Sequence, residues 1–127
     1  GEAARLGAPF GLNLDNMSQE EVAYSLALAY CAVVVLKGPD TVIASAERSC
    51  RVTNGTAALA KAGTGDVLAG VIGGLLAQGM NAFDAAHLGV YIHAEAGNIA
   101  AERKGVVSTC AEDVLDAVPE AFMRIGK

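Results

Sequence analysis

Residues 32–36 read Ala-Val-Val-Val-Leu, a continuous apolar run dominated by a β-branched residue. Alternating polarity would mark a strand wetted on one face. An unbroken run predicts a strand buried on both faces, as in a parallel sheet covered by helices. This one feature directs the chain toward an α/β layered fold. Lys37, Gly38, Pro39 and Asp40 break the run with turn residues. Thr41-Val42-Ile43-Ala44 resumes as a second strand, and residues 50–53 read as a short third one.

Helices surround these strands. Residues 2–7 form a short one. Residues 18–31 form a longer one, with Ser18 as N-cap and Glu21 three positions on, the pattern of a capping box. Val22, Leu26 and Tyr30 fall on one face of it. Residues 66–78 are apolar nearly all round, which predicts burial on every side. Residues 81–102, capped by Asn81, and residues 111–125 complete the set. Gly70 and Gly74, four residues apart, read as a helix-packing pair. The 127 residues suffice for one domain and show no linker, repeat or low-complexity segment. Three strands are few for so apolar a sheet. An open edge beside residues 33–35 would invite aggregation, so the chain reads as the C-terminal portion of a larger α/β fold.

Composition excludes several functions. The net charge of −5 and scattered basic residues disfavour nucleic-acid binding. Cys31, Cys50 and Cys110 are odd in number and far apart, with no zinc-site or disulfide spacing. A reducing cytoplasm suits them. The longest apolar run is too short and too glycine-rich to span a bilayer, so no membrane partner is expected. His87 and His93 lie six residues apart on one helix and face different ways, which argues against a shared metal.

The chemistry concentrates at residues 63–66, Gly-Thr-Gly-Asp. Gly63 and Gly65 permit a tight turn and a close approach to a ligand. The amides that open the next helix are free of intrahelical partners and lie at the positive end of its dipole, a corner suited to an anion. A carboxylate fixed there can deprotonate a hydroxyl while a phosphate is held beside it. The alternative is that Asp66 merely caps the helix and the glycines merely turn the chain. Ala57, Ala58, Ala60 and Ala62 keep the approach thin, which favours a ligand site. Neither standard nucleotide motif occurs: there is no GxxxxGK[ST], and Leu68 stands where a dinucleotide fingerprint needs glycine. Residues 37–41 join two strands at the carboxyl end of a buried one, where open α/β sheets bind ligands. Read alone, they are equally a plain hairpin turn.

Residues 34–38 with 41–43, the Asn54-Gly-Thr step, residues 60–72 and His93-Ala-Glu-Ala-Gly97 together resemble the ADP-dependent NAD(P)H-hydrate dehydratases of the ribokinase-like superfamily. The opening Gly1-Glu2-Ala3-Ala4-Arg5-Leu6 resembles the start of that family's second half. The resemblance implies an α/β, ribokinase-like three-layer sandwich, here its C-terminal portion of about three strands plus helices. Residues 1–127 would be a single domain or the C-terminal part of one. It implies repair of hydrated NADH or NADPH, with ADP (or ATP) as phosphoryl donor and Mg2+ accompanying the nucleotide, and no metal ligand assigned. Asp66 would be the base and contact the hydrate. Lys37, Gly38, Pro39, Asp40, Thr41, Gly63, Thr64 and Gly65 would bind the nucleotide. Pro39 offers no amide, and Asp40 puts negative charge near phosphate. Other residues gripping the hydrate would come from the half preceding Gly1. The expected assembly is a homo-oligomer or a pairing with that half. Two alternatives share the same corner: a small-molecule kinase of the hydroxyethylthiazole type, and an inactive nucleotide-binding fragment.

Overall fold

A computed structural model describes residues 1–126. They fall into two compact units, residues 1–52 and the remainder from Thr53 on.

In the first unit, α1 (Glu2–Gly7) and a 3-10 turn (Ala8–Phe10) precede α2 (Gln19–Tyr30). The capping box at the head of α2 is present. The Ser18 hydroxyl accepts from the Glu21 amide at 3.1 Å, and the Ser18 amide donates to Glu21 Oε1 at 3.2 Å. Three strands follow, β1 (Val34–Leu36), β2 (Thr41–Ala44) and β3 (Ser49–Val52), in the order β1-β2-β3. Both pairings are antiparallel, with Leu36 opposite Val42 and Val42 opposite Arg51. The core packs Ala23 and Ala27 of α2 against Val42 and Ala44, with Val34 and Leu36 alongside.

Two expectations change here. The strand predicted at residues 32–36 is shorter and only half-buried. As the first strand in the order, β1 has one neighbour among the described residues, so one side of it stays partly wet. No parallel pair occurs among those residues. The buried face of α2 carries Ala23, Leu26 and Ala27; Tyr30 lies outward. There its hydroxyl donates to the Leu6 carbonyl at 2.7 Å, and its ring meets Phe10 edge-on.

In the second unit a 3-10 turn (Ala57–Leu59) leads to α3 (Thr64–Ala77), α4 (Ala82–Lys104) and α5 (Ala111–Ile125). Their core is Ile92, Ala96, Ile99 and Ala100 of α4 against Val114, Ala117 and Ala121 of α5, with Val67 and Val71 of α3 packed on it. The Lys104–Asp113 pair (2.7 Å) and the Arg103–Glu120 pair join α4 to α5. Among the described residues no helix is long and apolar enough to cross a membrane.

The predicted all-round burial of α3 is not observed. Only Thr64, Leu68 and Leu75 are buried, and Ala69, Gly70, Gly73, Gly74 and Leu76 are exposed. A Cβ added at Gly70 or Gly74 would meet nothing within 4 Å, so among the described residues this pair packs closely against no helix. The close-packing glycines are on α4. A Cβ at Gly89 would fall 2.5 Å from Ile72 Cγ1, and one at Gly97 would fall 2.6 Å from Leu59 Cδ2. Side chains facing those two positions leave room only for hydrogen.

Candidate functional site

The mouth of α3 is built by its glycine and braced from behind. Gly63 is the N-cap, with φ +90°, a left-handed backbone that side chains rarely adopt. A Cβ there would also sit 3.1 Å from Ala111 Cβ, at the first residue of α5. The Thr64 side chain is buried and turned back into the loop. Its hydroxyl shares a proton between the carbonyls of Leu59 (2.6 Å) and Lys61 (2.9 Å). Lys61 extends across to the segment before α5, where its ammonium donates to the carbonyls of Val107 (2.7 Å) and Thr109 (2.9 Å). The Thr109 hydroxyl in turn donates to the Gly105 carbonyl at 2.7 Å.

What remains outward is a carboxylate and the amides beside it. Asp66 is exposed in the first turn of α3. None of the backbone hydrogen bonds found outside the helices uses the amides of Gly65 or Asp66. Asp66 stands on the wall of a groove of about 500 Å³ that runs along α3 past Val67, Gly70 and Gly74 to Gln78, with Leu115, Val118 and Phe122 of α5 opposite. The groove is apolar except at its two ends. A carboxylate at the head of an apolar groove, next to free helix-opening amides, can take a proton from an alcohol and hold a developing anion. Thr64 has little to offer that site: its hydroxyl is committed to the loop carbonyls and its amide donates to the Lys61 carbonyl at 3.3 Å.

The other predicted segment, residues 37–41, lies in the first unit as the loop between β1 and β2 (residues 37–40) and the first residue of β2, Thr41. Lys37, Gly38 and Pro39 are exposed, and Asp40 and Thr41 are half-buried. Asp40 is not a free charge: its Oδ2 lies 3.2 Å from Arg51 Nη1. Arg51 also grips Glu20, with Nη2 2.7 Å and Nε 3.0 Å from Oε2. That contact holds the Glu20 carboxyl below its usual range and raises the Arg51 guanidinium.

Sequence reasoning did not find the supporting residues. Lys61, Gln19 and Arg51 act on backbone carbonyls or charges distant in the chain, and no local pattern announces them. A half-buried polar cluster was also missed. Asn54 Nδ2 donates to Glu95 Oε1 at 2.9 Å, and Asn98 Nδ2 donates to the Asn54 carbonyl at 2.8 Å. His93 is buried and His87 exposed, on different faces as expected. No cluster of three or more His, Cys, Asp or Glu among the described residues is placed to hold a metal ion.

The family profile described as NAD(P)H-hydrate dehydratase (Carb_kinase) matches residues 1–120. The chain belongs to this family. It is 39% identical over 122 residues to the bifunctional NAD(P)H-hydrate repair enzyme Nnr of Moorella thermoacetica, covering 94% of this chain and 22% of that protein. It is 39% identical over 110 residues to the ADP-dependent (S)-NAD(P)H-hydrate dehydratase of Neisseria meningitidis, covering 84% of this chain and 36% of that one. The crystal structure of the ADP/ATP-dependent NAD(P)H-hydrate dehydratase from Bacillus subtilis, co-crystallised with ATP/Mg2+, superposes with a TM-score of 0.83 at 28% identity. It covers 96% of this chain and 45% of the Bacillus chain. The chain therefore spans less than half the length of these relatives. The α/β fold expected from the sequence, a partial ribokinase-like domain of three strands plus helices, is the fold observed.

Proposed function

We propose that this protein takes part in the repair of hydrated NADH or NADPH, removing water at the nicotinamide ring while ADP (or ATP) gives up its terminal phosphoryl group. In this reading the ring hydroxyl attacks the terminal phosphorus as Asp66 takes the hydroxyl proton. With ADP the leaving group is AMP. The phosphorylated ring then expels phosphate and gives up a proton from the adjacent ring carbon to solvent, which restores the dihydronicotinamide double bond. The amides of Gly63 and Gly65 hold charge on the moving phosphoryl group, the Thr64 amide being spent on the Lys61 carbonyl, and residues 37–41 take the AMP portion. Mg2+ travels with the nucleotide's phosphates and neutralises them. No residue of this chain is assigned as its ligand, in keeping with an ion held mostly by phosphate and water.

The observation that carries the reading is Asp66, exposed at the head of an apolar groove beside the Gly65 and Asp66 amides. The names of the relatives support the same activity and lend nothing to a thiazole-alcohol kinase. Three free cysteines support a cytoplasmic setting, and the exposed apolar flank of α3 supports assembly with more protein. The test is Asp66→Asn, assayed for NADH recovered from its hydrate with ADP. Loss of a positioned base lowers turnover by about 10²- to 10⁴-fold, while ADP affinity by calorimetry stays within a few-fold. A variant that keeps most of its rate removes Asp66 from the chemistry. Phosphorylated thiazole alcohol, with no NADH recovered, would replace the dehydratase by the kinase.

A further inference from the structure

An acidic residue in a turn proposed to meet a nucleotide is a liability, and its neighbours offset it. Asp40 sits in the 37–41 turn with its carboxylate 3.2 Å from Arg51 Nη1 on β3. The same Nη1 lies 3.2 Å from Gln19 Oε1, at the first turn of α2. Gln19 Nε2 donates to the Asp40 carbonyl at 2.8 Å and reaches the Leu36 carbonyl at 3.4 Å, so one side chain ties both ends of the turn. The fit under the turn is close: a Cβ at Gly38 would fall 2.9 Å from Gln19 Nε2 and 3.1 Å from the Asp40 carbonyl. Glu20 takes the other edge of the Arg51 guanidinium and anchors it to α2.

We infer that Gln19 and Arg51 are positioning residues for nucleotide binding: Gln19 sets the shape of the 37–41 turn, and Arg51 cancels the Asp40 charge so that a phosphate-bearing adenine nucleotide can approach. This rests on the reading of residues 37–41 as the nucleotide contact. Arg51 serves through Asp40, without touching the ligand. Removing it leaves two carboxylates uncompensated beside the turn, and Asp40→Asn then relieves the nearer one.

The experiment is ADP calorimetry on the wild type, Arg51→Ala, Arg51→Lys, the Arg51→Ala/Asp40→Asn double variant and Lys37→Ala, at low and at 0.5 M salt. Uncompensated charge at this range, in a partly screened setting, weakens ADP binding by about three- to tenfold at low salt and by less at high salt. Arg51→Lys keeps the charge and most of the affinity, which guards against a variant that is merely misfolded. The double variant recovers at least half of the lost binding free energy. A purely structural arginine gives no rescue and no salt dependence, and either result overturns the inference. If the wild type binds no ADP, or Lys37→Ala leaves its affinity untouched, the nucleotide assignment itself has failed and this inference falls with it.

Discussion

Two glycines on facing helices make a matched pair of tests. Gly70 on α3 and Gly89 on α4 both lie inside helices, so changing either to alanine gains the same helix-propensity term, about 0.8–1 kcal/mol. Their surroundings differ completely. A Cβ at Gly70 meets nothing within 4 Å, whereas one at Gly89 lands 2.5 Å from Ile72 Cγ1 and 3.5 Å from Ile72 Cα. Ile72 is β-branched and sits in a helix, where a single χ1 rotamer dominates, so it cannot swing aside cheaply. Forcing an extra methyl into such a contact costs about 1–3 kcal/mol. Gly70→Ala is therefore expected to raise stability by about 1 kcal/mol. Gly89→Ala should leave it unchanged or lower it by up to about 2 kcal/mol. Because propensity cancels in the comparison, the gap between the variants, about 1–3 kcal/mol, measures the α3–α4 contact alone. Guanidinium unfolding followed by helical circular dichroism reads both, provided the two denaturant slopes agree. A gap under about 0.5 kcal/mol would refute the close contact, since that is within the ordinary scatter of surface substitutions. A destabilised Gly70→Ala would refute the open face on α3.

Three further outcomes follow from particular contacts. Ser18→Ala removes the hydroxyl of the capping box and should cost about 1 kcal/mol in chemical denaturation, with Ser18→Asn largely harmless. Thr64→Val keeps the shape of the buried side chain but strands the Leu59 carbonyl, while the Lys61 carbonyl keeps the Thr64 amide, for a loss of about 1–3 kcal/mol; Thr64→Ser should retain both stability and ADP affinity, because the hydroxyl is the part in use. The Asp113 carboxyl is held at about 2 instead of 3.8 by its bond to Lys104 and by the Cys110 amide and thiol. Its contribution is complete above pH 4 and disappears as pH falls from there through about 2, so Asp113→Asn should flatten the acid limb of a stability-versus-pH curve and leave its neutral-to-alkaline part parallel to wild type.

Local signals carried far in this chain. The Ser18–Glu21 box, the turn residues between two β-branched runs, and the step from Gly63 into an apolar helix each determine structure within a few residues, and each is found where its chemistry predicts. The misses share a different cause. Whether Val34 or Ala69 is covered depends on which segment lies against it, and apolar character states a need for cover without naming what supplies it. The glycine pairs show the same thing. Gly70 and Gly74 have the spacing of a packing motif and face open space, while Gly89 and Gly97, eight apart, are the ones held tight. Arg51 read as an unremarkable strand residue, because its partners come from α2 and from the turn, eleven to thirty-two positions away. At the candidate site the placing of Asp66 in the first turn of α3 was legible and the scaffolding behind it was not.

The wet flank of α3 bears on rate as well as on folding. An amide dipole aimed at a phosphoryl oxygen acts through whatever medium surrounds it, and its pull in bulk water is a small fraction of its pull in a sealed, poorly polarisable chamber. Asp66 and its neighbouring amides here open onto a groove that solvent can enter. On the proposed reading, the strength of this corner is thus governed from outside it, by how completely Gly70 and Gly74 are roofed over while a nucleotide is bound.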